Sequence, residues 1–235
     1  MKKIRKKAVL LGMLTMLLLP AAACAQINDR LDVVGKGSVT SFETVLNVIP
    51  EQVEADAANG GWTLKAPDGT ARFIWSKDWS KSPLHDVMLE FEARPFLDAG
   101  LKVDQLPEDI LFYEDMLMAG RKLGDDELQY SGEATPLAAY EQIVSLKREA
   151  LGYHTAMDHY GVDLGGGNLF EWAKDLGAND KDIVFVLNPE PFISAGVDPE
   201  KIEGWIFTKV TVDVDGKPAE VDKILKPYNL ANQQE

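Results

Sequence analysis

Two stretches of the chain have apolar residues spaced as on one face of a helix. The residues on that face are Phe42, Val45, Leu46, Ile49 and Val53 in the first stretch and Tyr140, Ile143, Val144 and Leu151 in the second. Thr40 and Glu43 have the spacing of a capping box at the start of the first helix. Thr135 and Pro136 supply an N-cap and a first helical position for the second. The pattern predicts one helix opening each half of the chain.

Alternating apolar and polar residues follow the first helix and predict strands. Trp62 and Leu64 precede the turn sequence Pro-Asp-Gly at 67–69, and Phe73 and Trp75 follow it, as in a hairpin with one buried face. A third strand is predicted over residues 87–91, and its counterpart lies at 183–187.

The end of the second half predicts a short helical turn, two strands and a helix. Asp198 and Pro199 have the order of a cap and a first helical residue. Strands are predicted over 205–210 and 212–214, followed by a turn at Asp215-Gly216. A last helix is predicted over about 219–225.

The second half repeats the residue order of the first. Phe-Ile-Trp-Ser-Lys-Asp at 73–78 matches Phe-Glu-Trp-Ala-Lys-Asp at 170–175. Pro-Phe-Leu-Asp-Ala-Gly-Leu at 95–101 matches Pro-Phe-Ile-Ser-Ala-Gly-Val at 191–197. This shared order predicts that one structural unit has been duplicated.

We therefore predict an α+β fold of two tandem copies related by a pseudo-two-fold axis. Each copy is expected to contain a helix, three strands, a short helical turn and two further strands in a mostly antiparallel sheet. The predicted divisions are a signal peptide at 1–23, a lipid-anchored polar tether at 24–37, units at 38–134 and 135–230, and a disordered tail at 231–235.

The N-terminal segment has the composition of an export signal. Five cations among residues 2–7 precede an apolar run over 8–19, which is shorter than the roughly 20 residues that a membrane-spanning helix requires. The small residues at 21–23 followed by Cys24 resemble bacterial lipoprotein signals, except that Ala21 stands where Leu is usual. The resemblance implies that the thiol of Cys24 carries an acyl chain such as palmitate and that the protein is anchored to the cell membrane.

Ordinary signal-peptidase cleavage after Ala23 or Ala25 is the alternative, and it would release a soluble secreted protein. The lipoprotein interpretation is favoured because Cys24 is the only cysteine, and an exported chain cannot form an internal disulfide with a single thiol.

Removing the leader makes the protein strongly acidic. The whole chain has 24 basic and 38 acidic residues, so losing five leader cations leaves 19 against 38 and a net charge near -19. Such a surface repels nucleic acid and anionic headgroups. We therefore expect no nucleic-acid partner. We also expect the protein to contact the membrane only through the lipid anchor, on the side that faces away from the cytoplasm.

Two of the three histidines lie close together and form the clearest candidate metal site. His154, Asp158 and His159 offer imidazole and carboxylate ligands suited to Zn²⁺, and distant His85 is a further candidate ligand. On a helix, the separation of five residues places the two imidazoles off a common face. The first unit has Asp56 and Gly61 near the matching positions, so a site here is expected to be asymmetric.

Three weaker motifs have simpler structural interpretations. The Gly-Gly-Gly loop at 165–167 could bind an anion, but its position matches the hairpin turn of the first unit. The acidic residues Asp213, Asp215 and Asp222 with Gly216 resemble part of a calcium loop, yet the spacing also suits a hairpin. Trp75 and Trp172 are predicted core residues, whereas Trp79 could be exposed and stack on a ligand.

Two functions follow from these observations. The first is a non-catalytic envelope lipoprotein that binds a small ligand or another envelope protein, with the groove between the halves as the expected site. The second is a metal-dependent protein, hydrolytic or metal-handling, built on the histidine cluster. We favour the first because the sequence contains neither a Gly-x-Ser-x-Gly elbow nor a second cysteine.

Overall fold

The computed structural model of the protein describes residues 31–79, 85–124, 135–214 and 217–230. The predicted leader, Cys24 and the predicted tail at 231–235 lie outside these residues. In the described ranges, no helix is sufficiently long and apolar to span a membrane.

Each unit contains a long helix, a short helix and six strands. The first unit consists of α1 (Leu31–Val48), β1 (Val53–Asp56), β2 (Gly61–Lys65), β3 (Ala71–Ser76), β4 (Val87–Glu92), α2 (Arg94–Asp98), β5 (Ile110–Tyr113) and β6 (Met116–Arg121). The second consists of α3 (Pro136–Leu146), β7 (Leu151–His154), β8 (His159–Asp163), β9 (Leu169–Ala173), β10 (Ile183–Leu187), α4 (Glu190–Ser194), β11 (Ile206–Val214) and β12 (Lys217–Tyr228).

The two sheets have the same strand order. The first sheet runs β1-β2-β3-β4-β6-β5, and the second runs β7-β8-β9-β10-β12-β11. All neighbouring strands in both sheets are antiparallel. The predicted α+β class with two similar units in tandem is therefore confirmed, although four strands rather than three precede the short helix.

Reciprocal hydrogen bonds join the two units just after α2 and α4. The Lys102 amide donates to the Ala195 carbonyl, and the Asp198 amide donates to the Ala99 carbonyl, both at 2.9 Å. Gly100 and Gly196 lie between these bonds with positive φ angles of 107° and 95°. A Cβ on Gly100 would lie 2.8 Å from the Gly196 carbonyl oxygen, so the close approach requires glycine.

The inner faces of the two sheets share one hydrophobic core. Phe73 of β3 stacks on Phe170 of β9 with ring centroids 4.4 Å apart. Phe42 of α1 contacts both Trp75 and Trp172, one from each sheet. Residues of both units belong to a single buried cluster, so neither sheet has a separate core.

The two long helices are exchanged between the sheets. The two helices pack on each other, and among the strands α1 packs most extensively on β7 and β9, whereas α3 packs on β2 and β3. The Ser41 hydroxyl donates to the Ala173 carbonyl in the second sheet at 2.9 Å. In the reverse direction, the Trp75 indole donates to the Pro136 carbonyl at the start of α3 at 3.0 Å.

The predicted start of the first helix is wrong. α1 begins at Leu31, inside the segment predicted as tether, and Thr40 lies within the helix, where its hydroxyl donates to the Lys36 carbonyl at 3.1 Å. Two glycines in the added N-terminal part of α1 permit close packing of the helix. Gly35 and Gly37 carry no side chain where α1 closely approaches Val144 and Tyr160.

The helix predicted at 219–225 is also wrong, because these residues lie within β12. The strand is hydrogen-bonded to β10 on one side and to β11 on the other. Residues 219–225 pair with β11, and residues 224 and 225 also pair with β10. This tertiary pairing in the extended conformation outweighs local helix propensity.

Other local predictions are confirmed. The Thr135 hydroxyl accepts a bond from the Ala138 amide at 3.1 Å at the start of α3. Asp198 caps a short 3₁₀ helix, Pro199–Lys201, because its side chain accepts a hydrogen bond from the Glu200 amide at 3.3 Å. The hairpin predicted around residues 67–69 is formed by β2 and β3.

Candidate functional site

A cavity of about 1110 Å³ lies against the outer face of the second sheet. β7 and β11 are the opposite edges of this sheet, yet the His154 Nε2 donates to the Thr211 carbonyl at 3.1 Å. The sheet therefore curls until its two edges meet, with the β11–β12 hairpin folded over the face formed by β8 and β9. This volume is slightly above the range of about 300–1,000 Å³ that is typical of ligand pockets.

One part of the cavity lining is apolar. Its aliphatic side chains come from both the sheet and the hairpin, and they are Met157, Leu169, Val186, Ile193, Val210, Val212, Val221 and Leu225. Val184, Val186 and Leu225 form a small buried cluster that is separate from the main core. The outer face of an antiparallel sheet is usually solvated and polar, but this part of the outer face is apolar.

A buried carboxylate lies beside this apolar surface. The Glu171 side chain is 7% exposed, and its two oxygens lie 3.5 Å from His154 Nδ1 and 3.8 Å from His159 Nδ1. His159 is fully buried, and neither of its ring nitrogens has a hydrogen-bond partner among the described residues. His154 and His159 face each other across β7 and β8, which places both imidazoles next to Glu171 of β9.

The environment of Glu171 favours a charged pair with His154. Burial raises the pKa of the carboxyl, but the neighbouring imidazoles of His154 and His159 lower it by more, so the net pKa is below its usual value. The contact with Glu171 raises the pKa of His154, against the opposing effect of burial. The two groups therefore stabilise each other's ionised forms.

These polar groups are peculiar to the second unit. The strand register places Glu171, His159 and His154 at the positions of Ile74, Gly61 and Asp56 in the first sheet. The hairpin over the cavity is also longer, because β11 and β12 have nine and twelve residues where β5 and β6 have four and six. The predicted asymmetry between the two copies is present at each of these positions.

The glycine loop at 165–167 forms the turn between β8 and β9, as its alignment with the first unit predicts. The Gly166 carbonyl accepts a bond from Asn188 Nδ2 at 2.9 Å, and the Gly167 carbonyl accepts one from Lys223 Nζ at 2.7 Å. Since the loop directs carbonyls toward these donors, its local geometry differs from an anion-binding loop, in which amides converge.

One residue of the first unit reaches the cavity. Arg121, at the end of β6, lines it and lies 3.5 Å from the Asp163 carboxylate. The expected groove between the halves is otherwise occupied by the shared aromatic core. The cavity therefore belongs mainly to the second unit rather than to the interface.

The structure brings together only part of the proposed metal cluster. Asp158 is exposed in the tight turn between β7 and β8, with a φ of 56°. His85 precedes β4 in the first unit, where burial and nearby Lys122 lower its pKa. Within the described ranges, no three His, Cys, Asp or Glu side chains form a group that could hold a metal ion. The zinc site stays a prediction.

The remaining motifs are structural elements or lie partly outside the described residues. Trp79 is fully buried and donates to the Ser76 carbonyl at 3.1 Å, so the proposed exposed stacking surface is wrong. Trp75 and Trp172 are core residues, as predicted. Residues 211–214 and 217–222 form the paired strands β11 and β12, and Asp215 and Gly216 of the proposed calcium loop lie outside the described residues.

Glu171 is the site residue that motif searching misses, because it belongs to no recognised motif. The signal was nevertheless present in the repeat, where an acid replaces Ile74 between two core aromatic residues. Thr211 could not be predicted as a partner of His154, because the contact depends on the curl of the whole sheet.

Comparisons of the chain with protein-family models, curated proteins and solved structures find no match. Function is therefore inferred from the geometry of the cavity and from the differences between the two copies.

Proposed function

We propose that this protein is a non-catalytic lipoprotein of the bacterial cell envelope that binds a small ligand in the cavity of the second unit. The proposed localisation is supported by the signal sequence and Cys24, and the proposed binding role is supported by the cavity. The first unit serves chiefly as the structural partner of the second.

The observation that carries the binding role is the divergence of Glu171 from Ile74. An ionisable group in place of a buried aliphatic side chain costs stability unless it is compensated. The same copy also has His154 beside the acid and the extended hairpin above it. Three coordinated differences at one face are expected for a binding site rather than for sheet packing.

Binding is favoured over catalysis by the state of the acid. A carboxylate whose pKa is lowered is a weak general base at neutral pH. Glu171 also forms an ion pair with His154, so it is not an isolated base facing the cavity. An electrostatic and hydrogen-bonding role for the carboxylate is therefore the simplest one.

The ligand-binding part is tested by extracting protein purified from the cell envelope and identifying small molecules by mass spectrometry. Gly152 lines the cavity, and a Cβ added to it would meet no atom within 4 Å, so Gly152→Leu should extend a side chain into the site. Glu54→Leu is the matched control, since Glu54 is the equivalent position of β1. A molecule recovered from wild type and Glu54→Leu but lost from Gly152→Leu supports the proposal, and equal recovery from all three contradicts it.

The anchor is tested by the intact mass and N-terminal sequence of the same material. An acylated N-terminal Cys24, and release of Cys24→Ala from the membrane fraction, are the expected results. An unmodified Cys24 or a terminus at Gln26 contradicts the lipoprotein assignment.

A further inference from the structure

The floor of the cavity beside Glu171 is a strip of glycine backbone. Glu171 of β9 pairs with Gly161 of β8, which in turn pairs with Gly152 of β7. A Cβ on Gly152 would meet no atom within 4 Å, and one on Gly161 would contact Glu171 itself at 3.3 Å. Gly161 therefore makes room for the Glu171 side chain itself, and Gly152 leaves space for a ligand group beyond it.

The Glu171 carboxylate has unused capacity to accept hydrogen bonds. Its nearest imidazole nitrogens lie at 3.5 and 3.8 Å, whereas charge-assisted bonds are about 2.7–2.9 Å long. An ionised carboxylate accepts roughly four hydrogen bonds. A ligand that donates to Glu171 over the glycine strip would complete its hydrogen bonding.

The charges around the cavity favour a cationic donor. Five acidic residues line it, namely Asp163, Glu171, Glu190, Glu220 and Asp222, against the basic residues Arg121 and Lys223 and the imidazole of His154. Arg121 lies beside Asp163, and Lys223 donates to the Gly167 carbonyl. An anionic ligand would meet repulsion from Glu171 in a poorly solvated site.

The apolar wall continues directly from the carboxylate. Leu169 of β9 pairs with Val186 of β10, which pairs with Leu225 of β12, and all three line the cavity. This row lies next to the row that contains Glu171. A chain-like apolar group could therefore lie across the strands while a polar end reaches the carboxylate.

We propose that the cavity binds a single-chain amphiphile with a primary amine. The ammonium group donates to Glu171 from the space above Gly152, and the chain packs on Leu169, Val186 and Leu225. This inference rests on the proposed ligand-binding function and specifies its ligand class. The ammonium group replaces His154 as the nearest cationic partner of Glu171.

The test compares three probes of equal chain length, dodecylamine, dodecanol and dodecanoate, by isothermal titration of the full mature protein below their micelle concentrations. Dodecylamine is expected to bind about tenfold or more tightly than dodecanol, because hydrogen bonds to charged groups are stronger than neutral ones. Dodecanoate is expected to bind more weakly than dodecanol.

Two variants separate the roles of charge and space. Glu171→Gln keeps the shape but removes the charge, so the preference for the amine over the alcohol should disappear. Gly152→Leu should weaken both probes, whereas Glu54→Leu in the first sheet should weaken neither. If Glu171→Gln does not fold, the comparison of Gly152→Leu with Glu54→Leu still tests whether the probes bind in this cavity.

The outcomes distinguish the ligand class from the binding function. If dodecanol or dodecanoate binds as tightly as the amine, and Gly152→Leu abolishes that binding, the amine assignment is overturned while ligand binding in this cavity stands. If no probe binds, the assignment is overturned as well, and the extraction experiment decides the binding function independently.

Discussion

Glu171 occupies the position in the second sheet that Ile74 occupies in the first. Both side chains are buried and both point to the outer face of their sheet, but only Glu171 has imidazoles beside it. The two copies therefore offer an internal comparison in which one side chain has been exchanged for an acid within the same backbone.

Replacing Glu171 by its counterpart should separate stability from binding. Glu171→Ile is expected to lower the free energy of unfolding less at pH 8 than at pH 6, because removing one partner of a buried ion pair leaves an unpaired charge only while His154 is protonated. Ligand binding should be lost. Urea denaturation measures the first quantity.

The reverse exchange in the first sheet is the control. Ile74→Glu introduces a carboxylate where Asp56 and Gly61 replace the imidazoles, so a loss of about 3 kcal/mol or more is expected. An equally large loss for Glu171→Ile would mean that the acid is required for folding rather than retained for a ligand.

Stability should fall as the pH rises through the titration of His154. The contact with Glu171 raises the pKa of His154, so its contribution is complete below the unfolded value of 6.5 and is lost as pH exceeds the folded pKa. Glu171 has the opposite effect in acid. Because its pKa is lowered, its contribution to stability is complete above the unfolded value of 4.5 and is lost as the pH falls through the folded pKa.

His154→Gln should remove the decline that melting curves of the wild type show as the pH rises above the unfolded value of 6.5. His85→Gln is an informative control, because the lowered pKa of His85 makes its own contribution rise with pH. Because that rise lies below the unfolded value of 6.5, the variant should remove it and leave the decline at higher pH unchanged. An unchanged pH profile in His154→Gln would contradict the charged pair.

The glycine contact between the units should be sensitive to one methyl group. Gly100→Ala brings a Cβ to 2.8 Å from the Gly196 carbonyl oxygen and places alanine at a φ of 107°. We expect a loss of about 1–3 kcal/mol or more in chemical denaturation. Gly69→Ala, at a φ of 74° but with open space around it, should cost only about 1–2 kcal/mol.

The stacked phenylalanines should couple the two sheets energetically. Phe73 and Phe170 have ring planes within 8° of parallel. In a double-mutant cycle with leucine, a coupling of about 0.5–1.5 kcal/mol is expected for this pair. Additive effects of the two substitutions would show that the rings contribute through burial alone.

The sequence was most informative where both copies could be compared. The matched segments at 73–78 and 170–175 predicted equivalent strands, which are β3 and β9. The residue types at Thr135 and Asp198 were also sufficient to predict where two helices begin, because each side chain accepts a hydrogen bond from an amide only two or three residues away.

Predictions failed where distant pairing decides the conformation. Val53 and Leu151 continue the helical spacing, yet each begins an edge strand after the helix ends. Residues 219–225 have a helix-compatible pattern but pair along their whole length with β11, and at residues 224 and 225 with β10 as well. The cavity was not predictable for the same reason, since it depends on contacts across the full width of the sheet.

The exchange of α1 and α3 gives the tandem chain the architecture of an intertwined homodimer whose subunits have become covalently joined. A single copy would carry the helix that covers the other copy's sheet, so two copies would have to associate before either core was complete. Fusion makes that association intramolecular and allows each copy to diverge while the other preserves the shared core. In this protein only the second copy has the buried acid and the long hairpin, whereas the first has an aliphatic residue and a short hairpin at the same places.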